Sequence, residues 1–272
     1  MNKEKRGVIV GMALGDGHIQ VRQRLGQGKY PYESRSMRVL HGESQKLYVE
    51  WKARRLGWAL GGRQVNVTKV RNGPGGRYTA YQFGVSHPYF GQVKRWLYPE
   101  GKKRLTEQVL DMLTPEAIAI WYMDDGHARR NTNKHGRVTS VATNIATMCS
   151  EEEVDLVIRW FIDNHGITFK KRCKKTCSPG SQFFIEANTR ESKKFGRLIE
   201  EFVPDPMLYK LSHLSDMHSH ECQTPVGQCT ECQTVIYSSR RKGLCTACYS
   251  REYYRTVRRH ADGRKPYGSR KG

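Results

Sequence analysis

WYMDDGH, residues 121–127, closes an apolar run on two adjacent aspartates and a glycine, and MALGDGH, residues 12–18, ends in the same Asp-Gly-His. Both runs read as helices. In TPEAIAIWYMDDGH (114–127) Thr114 can cap the first turn, Pro115 suits the first helical position, Glu116 complements the positive dipole end, and Gly126 stops the helix. In EKRGVIVGMALGDGH (4–18) the residues Gly7, Gly11 and Gly15 recur every fourth position and share one face. Each glycine costs a lone helix roughly 1 kcal/mol relative to alanine, so the close approach of another backbone is expected along that stripe. An aspartate at a helix C-terminus sits at the wrong end of the dipole. If the two helices pack side by side, Asp16 and Asp125 meet at their base among carbonyl ends. That is a poor place for a structural acid and a good one for hard divalent cations, which take oxygen ligands.

Behind each of these helices the chain repeats one order of elements. HIQVRQR (18–24) and SMRVLH (36–41) alternate as strands, ESQKLYVEWKARRLGW (43–58) is a helix, QVNVTKVRN (64–72) and RYTAYQFGVS (77–86) form a hairpin around GPGG, and PYFGQVKRWLY (88–98) is a helix. After the second motif come HARRNTNKHG (127–136) and RVTSVAT (137–143), the helix SEEEVDLVIRWFIDNHG (150–166), the strands ITFKKRCK (167–174) and QFFIEA (182–187), and the helix RESKKFGRLIEEFV (190–203). The order α-β-β-α-β-β-α occurs twice, with 109 positions separating Asp16 from Asp125. The expected class is α+β, with two pseudo-symmetric halves at 1–98 and 99–216.

Alternation gives each expected sheet one apolar face and one polar, basic face. Gln20, Arg22 and Arg24 share a face, Gln64, Asn66 and Thr68 another, and Thr168, Lys170, Arg172 and Lys174 a third; Arg35, Arg38 and Arg137 join the candidate binding set. Such side chains can bond base edges, and a twisted β-ribbon fits a major groove. An ordinary solvated sheet face is the plain alternative.

The segments IVGMALGDG (9–17) and IAIWYMDDG (118–126) resemble the two motifs of the LAGLIDADG homing endonucleases in their single-chain form, with the I-SceI-like branch the nearest likeness. GKKRLTEQVLDMLTPEAIAIWYMDDG (101–126) and PDPMLYKLS (204–212) share it, so it covers roughly residues 7–213. The resemblance implies that Asp16 and Asp125 are metal ligands, that Lys103 and Lys210 stand near the scissile phosphates, and that a β-saddle lies across a long, asymmetric duplex. It implies magnesium-dependent hydrolysis on both strands, each acid serving one cut and the lysines stabilising charge or helping to activate water. Two features depart from the pattern: Gly15 stands where the second motif has Asp124, and Ile120 where the first has Gly11. Glycines on one helix are therefore expected to receive larger side chains from the other. Asp124 joins the candidate catalytic group as an assistant at the metal or a tolerated neighbour. His18 and His127 are read as the starts of strands.

CTECQTVIYSSRRKGLCTAC (229–248) places Cys229, Cys232, Cys245 and Cys248 as two Cys-x2-Cys knuckles, which fits one tetrahedral zinc in a ribbon spanning 217–250. Without metal so short a segment buries too little to fold. Cys222, His218 and His220 are worse-spaced competitors, and Cys149, Cys173 and Cys177 read as ordinary thiols. The basic tail 251–272 interleaves Tyr with Arg. Ribbon and tail are read as a clamp extending the DNA footprint, with a protein-binding zinc module as the alternative.

Composition sets the outer bounds. The 47 Lys and Arg against 26 Asp and Glu leave a formal charge of +21, a field that attracts polyanions. No apolar run is long enough to span a bilayer, and the first residues lack a signal peptide's core and cleavage site. A monomer in the cytoplasm or an organelle matrix, not exported and not in a membrane, is expected, in a compartment that keeps thiols reduced. The resemblance implies an origin in a mobile intron or a freestanding gene, and no protein-splicing residues are expected at Met1 or SRKG. Double-stranded DNA is the expected partner. An intron RNA maturase or a silent DNA-binding regulator would share the core, yet neither needs an acid retained in both motifs.

Overall fold

The computed structural model describes residues 1–25, 31–135, 138–173, 183–211, 227–233, 235–236, 244 and 248. The chain divides into two compact units, Met1–Ser215 and Asp216–Gly272. In the first, α1 (Lys3–Leu14), β1 (His18–Leu25), β2 (Pro31–Gly42), α2 (Lys46–Ala59), β3 (Thr68–Asn72), β4 (Tyr78–Ser86) and α3 (Tyr89–Leu97) form one half. A short α4 (Glu107–Leu110), which no periodicity announces, leads into the second half. That half comprises α5 (Pro115–Asp125), β5 (Gly126–Thr132), β6 (Val138–Cys149), α6 (Glu151–His165), β7 (Lys170–Cys173), β8 (Phe183–Ala187) and α7 (Thr189–Ile199). The antiparallel sheets have the orders β1-β2-β4-β3 and β5-β6-β8-β7, the same arrangement twice. In the second unit β9 (Gly227–Gln228) pairs with β10 (Val235–Ile236). No described helix is long and apolar enough to cross a membrane.

The axis of the first unit is the contact of α1 with α5. Asn2 and Thr114 accept the first-turn amides of Lys5 and Ala117, as caps do. Every residue of α1 from Gly7 to Leu14, and of α5 from Glu116 to Met123, is buried. Helices apolar all round belong in a core. The glycine stripe faces α5: a Cβ on Gly11 would stand 2.6 Å from the Ala117 carbonyl oxygen, and one on Gly7 would meet Thr114 Oγ1 at 2.7 Å. At Gly15 a Cβ would overlap the Asp124 carboxylate, so the larger side chain of one motif occupies the space that the other leaves empty.

Register separates the faces. Ile19 pairs with Met37, and Val39 with Phe83, on the helix-covered side; Gln20 pairs with Ser36, Arg38 with Gly84, and Thr68 with Gln82 on the other. In the second sheet Ile145 and Ile185 face the core, while His127 opposite Asn144 and Lys170 opposite Glu186 lie on the open face.

The expected hairpin starts later than the pattern suggests. Gln64 and Asn66 precede β3 because the chain first crosses from the helix layer: the amides of Gly62 and Arg63 close on the Gly57 carbonyl, and the ladder begins only at Thr68. Their side chains still alternate outward, with Val65 and Val67 packed on the core. Thr168 likewise precedes β7, its amide taken by Glu191.

Gly11→Val should destabilise the protein by about 3 kcal/mol in urea unfolding, since backbone rather than a flexible side chain must move. Gly42→Ala, which meets nothing within 4 Å, is the matched control and should change stability little.

Candidate active site

The C-terminal ends of α1 and α5 bring the acids together. The side chain of Asp16 is 48% exposed, whereas Asp124 is fully buried. Asp125 is largely buried, and its carboxyl is pushed up to about 6 by burial first, then by the nearby charges of Asp124 and Asp16, against the pull of Lys103. Asp16 and Asp125 therefore share one electrostatic neighbourhood at the seam of the two halves.

Asp124 is held by a cluster of side chains from the first half. The Lys52 ammonium lies 2.6 Å from both of its oxygens, the Tyr48 hydroxyl donates to Oδ1 at 2.9 Å, and the Asp16 amide donates to Oδ2 at 3.0 Å. His41 Nε2 stands 4.0 Å from Oδ1 and 3.1 Å from the Lys52 nitrogen. Asp16, His41 and Asp124 are close enough to suggest a metal group. The Lys52 ammonium lies between His41 and Asp124, and both Asp124 oxygens accept hydrogen bonds, so Asp124 ties α5 to α2 and to the Asp16 backbone. Burial and Lys52 lower the His41 pKa, which keeps the ring neutral. Burial first, and then the Asp124 carboxylate, keep the Tyr48 hydroxyl protonated.

The lysines close the helix ends. Lys103 donates to the Leu14 carbonyl and Lys210 donates to the Gly126 carbonyl at 2.5 Å, each capping a motif helix where cations are favoured. Burial lowers the pKa of both. Tyr122 donates to the Lys210 carbonyl at 3.0 Å and so holds that lysine's backbone to α5.

A divalent ion fits this donor set on chemical grounds. Asp16 and Asp125 are hard oxygen ligands, and a buried carboxyl crowded by two others is the environment that a cation relieves.

On the open sheet faces Gln20, Arg22, Arg38, Thr68, Lys170 and Arg172 are placed outward. Arg35 is not. It shares the face of Met37 and Val39, lies over Gly91, and bonds Glu33 at 2.5 Å and the Pro88 carbonyl at 3.5 Å. Strand parity turns it toward α3. Arg172 is braced rather than free: with Arg129 it flanks the buried Glu186, at 2.9 and 3.4 Å. The side chain of Arg24, and Arg137, Lys174, Cys245 and the tail 251–272, lie outside the described residues.

In the second unit Sγ atoms of Cys229, Cys232 and Cys248 fall within 4.8 Å of one another. The Gln233 amide folds back on the Cys229 carbonyl at 2.9 Å with Gln233 at φ +59°, a tight turn around Cys232. Cys173, expected as an ordinary thiol, is disulfide-bonded at the end of β7, and its partner lies outside the described residues, as do Cys177, Cys222, His218 and His220.

Tyr48, His41 and Lys52 escape a reading of the sequence. Lys52 lies on the stripe Tyr48, Val49, Ala53, Leu56 of α2, the one charge at a core position, and that is the available signal.

Comparison with known proteins gives a consistent result. The family model described as the LAGLIDADG DNA endonuclease family matches residues 6–195. Two curated relatives are named Protein RecA: that of Mycobacterium shimoidei is 27% identical over 209 residues, and that of Mycolicibacterium flavescens is 29% identical over 209. Each match covers 75% of this chain and 45% of that protein, so the chain spans less than half their length. Among solved structures, the homing endonuclease I-WcaI bound to its DNA recognition sequence gives a TM-score of 0.58 at 18% identity, covering 77% of this chain and 86% of that one. The LAGLIDADG homing endonuclease I-LtrWI bound to target DNA gives 0.50 at 9%, covering 81% and 92%. At these identities the likeness is one of fold.

The Asp125 shift has a definite sign. Its folded-state pKa lies above the ordinary value of 3.8, so the fold prefers the protonated acid, and stability falls as pH rises from about 4 to about 6. Asp125→Asn should therefore raise stability at pH 7.5 by on the order of 1 to 2 kcal/mol in metal-free buffer, discounted for partial exposure. Below about pH 4 the difference should disappear in the same unfolding curves.

Proposed function

This chain belongs to the LAGLIDADG DNA endonuclease family, and on that footing we propose that it is a monomeric, site-specific homing endonuclease making a magnesium-dependent double-strand break in a long, asymmetric duplex. The carrying observation is the convergence of Asp16 and Asp125 at the seam, with a lysine closing each motif helix. Bound magnesium supplies Lewis acidity and an activated water in this reading. Asp16 and Asp125 hold the cations. Lys103 and Lys210, with pKa values lowered by burial, neutralise developing phosphate charge and can pass a proton to or from water. The open sheet faces, with Gln20, Arg22, Arg38, Gln64, Asn66, Thr68, Lys170 and Arg172, read the duplex. The formal charge of +21 supports a polyanionic partner. The three gathered cysteines support a structural zinc, completed by Cys245, in a C-terminal module that extends the footprint.

Incubating the protein with magnesium and a randomised duplex library, then sequencing the cut ends, should return one long asymmetric site. Asp16→Asn and Asp125→Asn should each lower cutting at that site by about 1000-fold or more while leaving binding intact. Cutting that survives both would end the assignment, and binding without any cutting by the wild type would favour the regulator or the maturase. Elemental analysis should find about one zinc per chain, lost in Cys229→Ser/Cys232→Ser.

A further inference from the structure

We infer that His41 and Lys52 are positioning residues that fix the direction of the Asp16 carboxylate, a device of the first half; as a statement about catalysis it rests on the endonuclease reading. Lysine has donors and no acceptor, so the 3.1 Å contact from the buried Lys52 ammonium makes His41 Nε2 the acceptor and leaves the ring proton on Nδ1. That Nδ1–H faces Gln45 Oε1 at 3.1 Å and Asp16 Oδ2 at 3.5 Å. At the other end of the cluster the Asp124 carboxylate, locked by the same ammonium and by Tyr48, accepts the Asp16 amide. One buried cluster thus grips Asp16 by its backbone and faces its carboxylate with a single N–H. The His41 ring is itself held against Tyr48, centroid to centroid 5.2 Å.

Stability alone does not account for this arrangement. A buried ion pair is often no better than well-packed apolar residues of the same volume, and the equivalent helix α6 is packed through Val154, Val157, Trp160 and Phe161. What the polar cluster adds is direction. Asp125 lies outside this cluster, near Lys103 and its fellow acids.

The test uses the full chain. His41→Phe keeps the ring and removes both nitrogens. Lys52→Met/Asp124→Asn removes the buried charges together, so that neither is stranded. In the metal-free, DNA-free protein, three-bond couplings of the Asp16 β protons should report one side-chain rotamer in the wild type and averaged rotamers in both variants. At the selected site both variants should bind duplex with unchanged Kd, lose about 10- to 100-fold in kcat, and need about tenfold more magnesium for half-maximal cutting. His41→Asn, whose amide can place an N–H near the old Nδ1 position, should recover part of each loss. Folded variants that keep a single Asp16 rotamer and wild-type magnesium dependence would overturn the inference. If the wild type cuts no duplex, the endonuclease reading fails, while the couplings still decide whether His41 and Lys52 position Asp16.

Discussion

Everything in the first unit depends on two helix backbones lying in direct contact. Gly11 against Ala117, with Gly7 and Gly15 above and below it, lets α1 and α5 approach more closely than any side chain would allow. The cost in helix propensity is offset because the two helices bury each other and carry a sheet on each side. Close packing also aligns two negative dipole ends and gathers three aspartates beside them. The fold answers with three ammoniums: Lys52 on Asp124, Lys103 on the Leu14 carbonyl and Lys210 on the Gly126 carbonyl. Charge compensation at this seam is therefore part of the architecture, and the site is its by-product.

Adjacent aspartates on one helix have opposite fates because successive helical positions point about 100° apart. Asp124 turns toward α2, meets a lysine, and is satisfied on both oxygens. Asp125 turns to the seam, where burial outweighs the pull of Lys103, and holds its proton to about pH 6. The first acid braces the structure, and the second is the one free to take a cation in the proposed reaction.

Much of this is legible in the sequence. The glycine stripe announces a backbone contact, the cap at Thr114 fixes a helix start, and the doubled element order implies the two sheets. Asp16 and Asp125 are readable because each closes a motif helix just before a glycine, whereas Lys103 and Lys210 come only from the resemblance of GKKRL and YKL to the family. What sequence pattern does not supply is direction in three dimensions. Arg35 resembles any other strand arginine until register places it with Met37. Gln64 and Asn66 alternate correctly, yet no pattern states where a ladder begins. Asp124 can be weighed only once its partner on α2 is known, and that partner, Lys52, is separated from it by 72 positions.

The two open sheet faces also differ in kind. The first carries mainly neutral hydrogen-bonding groups, Gln20, Ser34, Ser36, Gln82 and Thr68, around Arg22 and Arg38. Neutral groups can serve as donors and acceptors to several base edges. The second also has neutral groups, Asn131, Ser140 and Asn144, but differs in that Arg129 and Arg172 flank the buried Glu186 beside Lys170. A guanidinium fixed by a carboxylate loses less freedom on meeting a base and points one way only. Two halves built on one plan thus present one adaptable and one braced surface. In the proposed complex this inequality, more than the shared fold, is what would make the recognised duplex asymmetric.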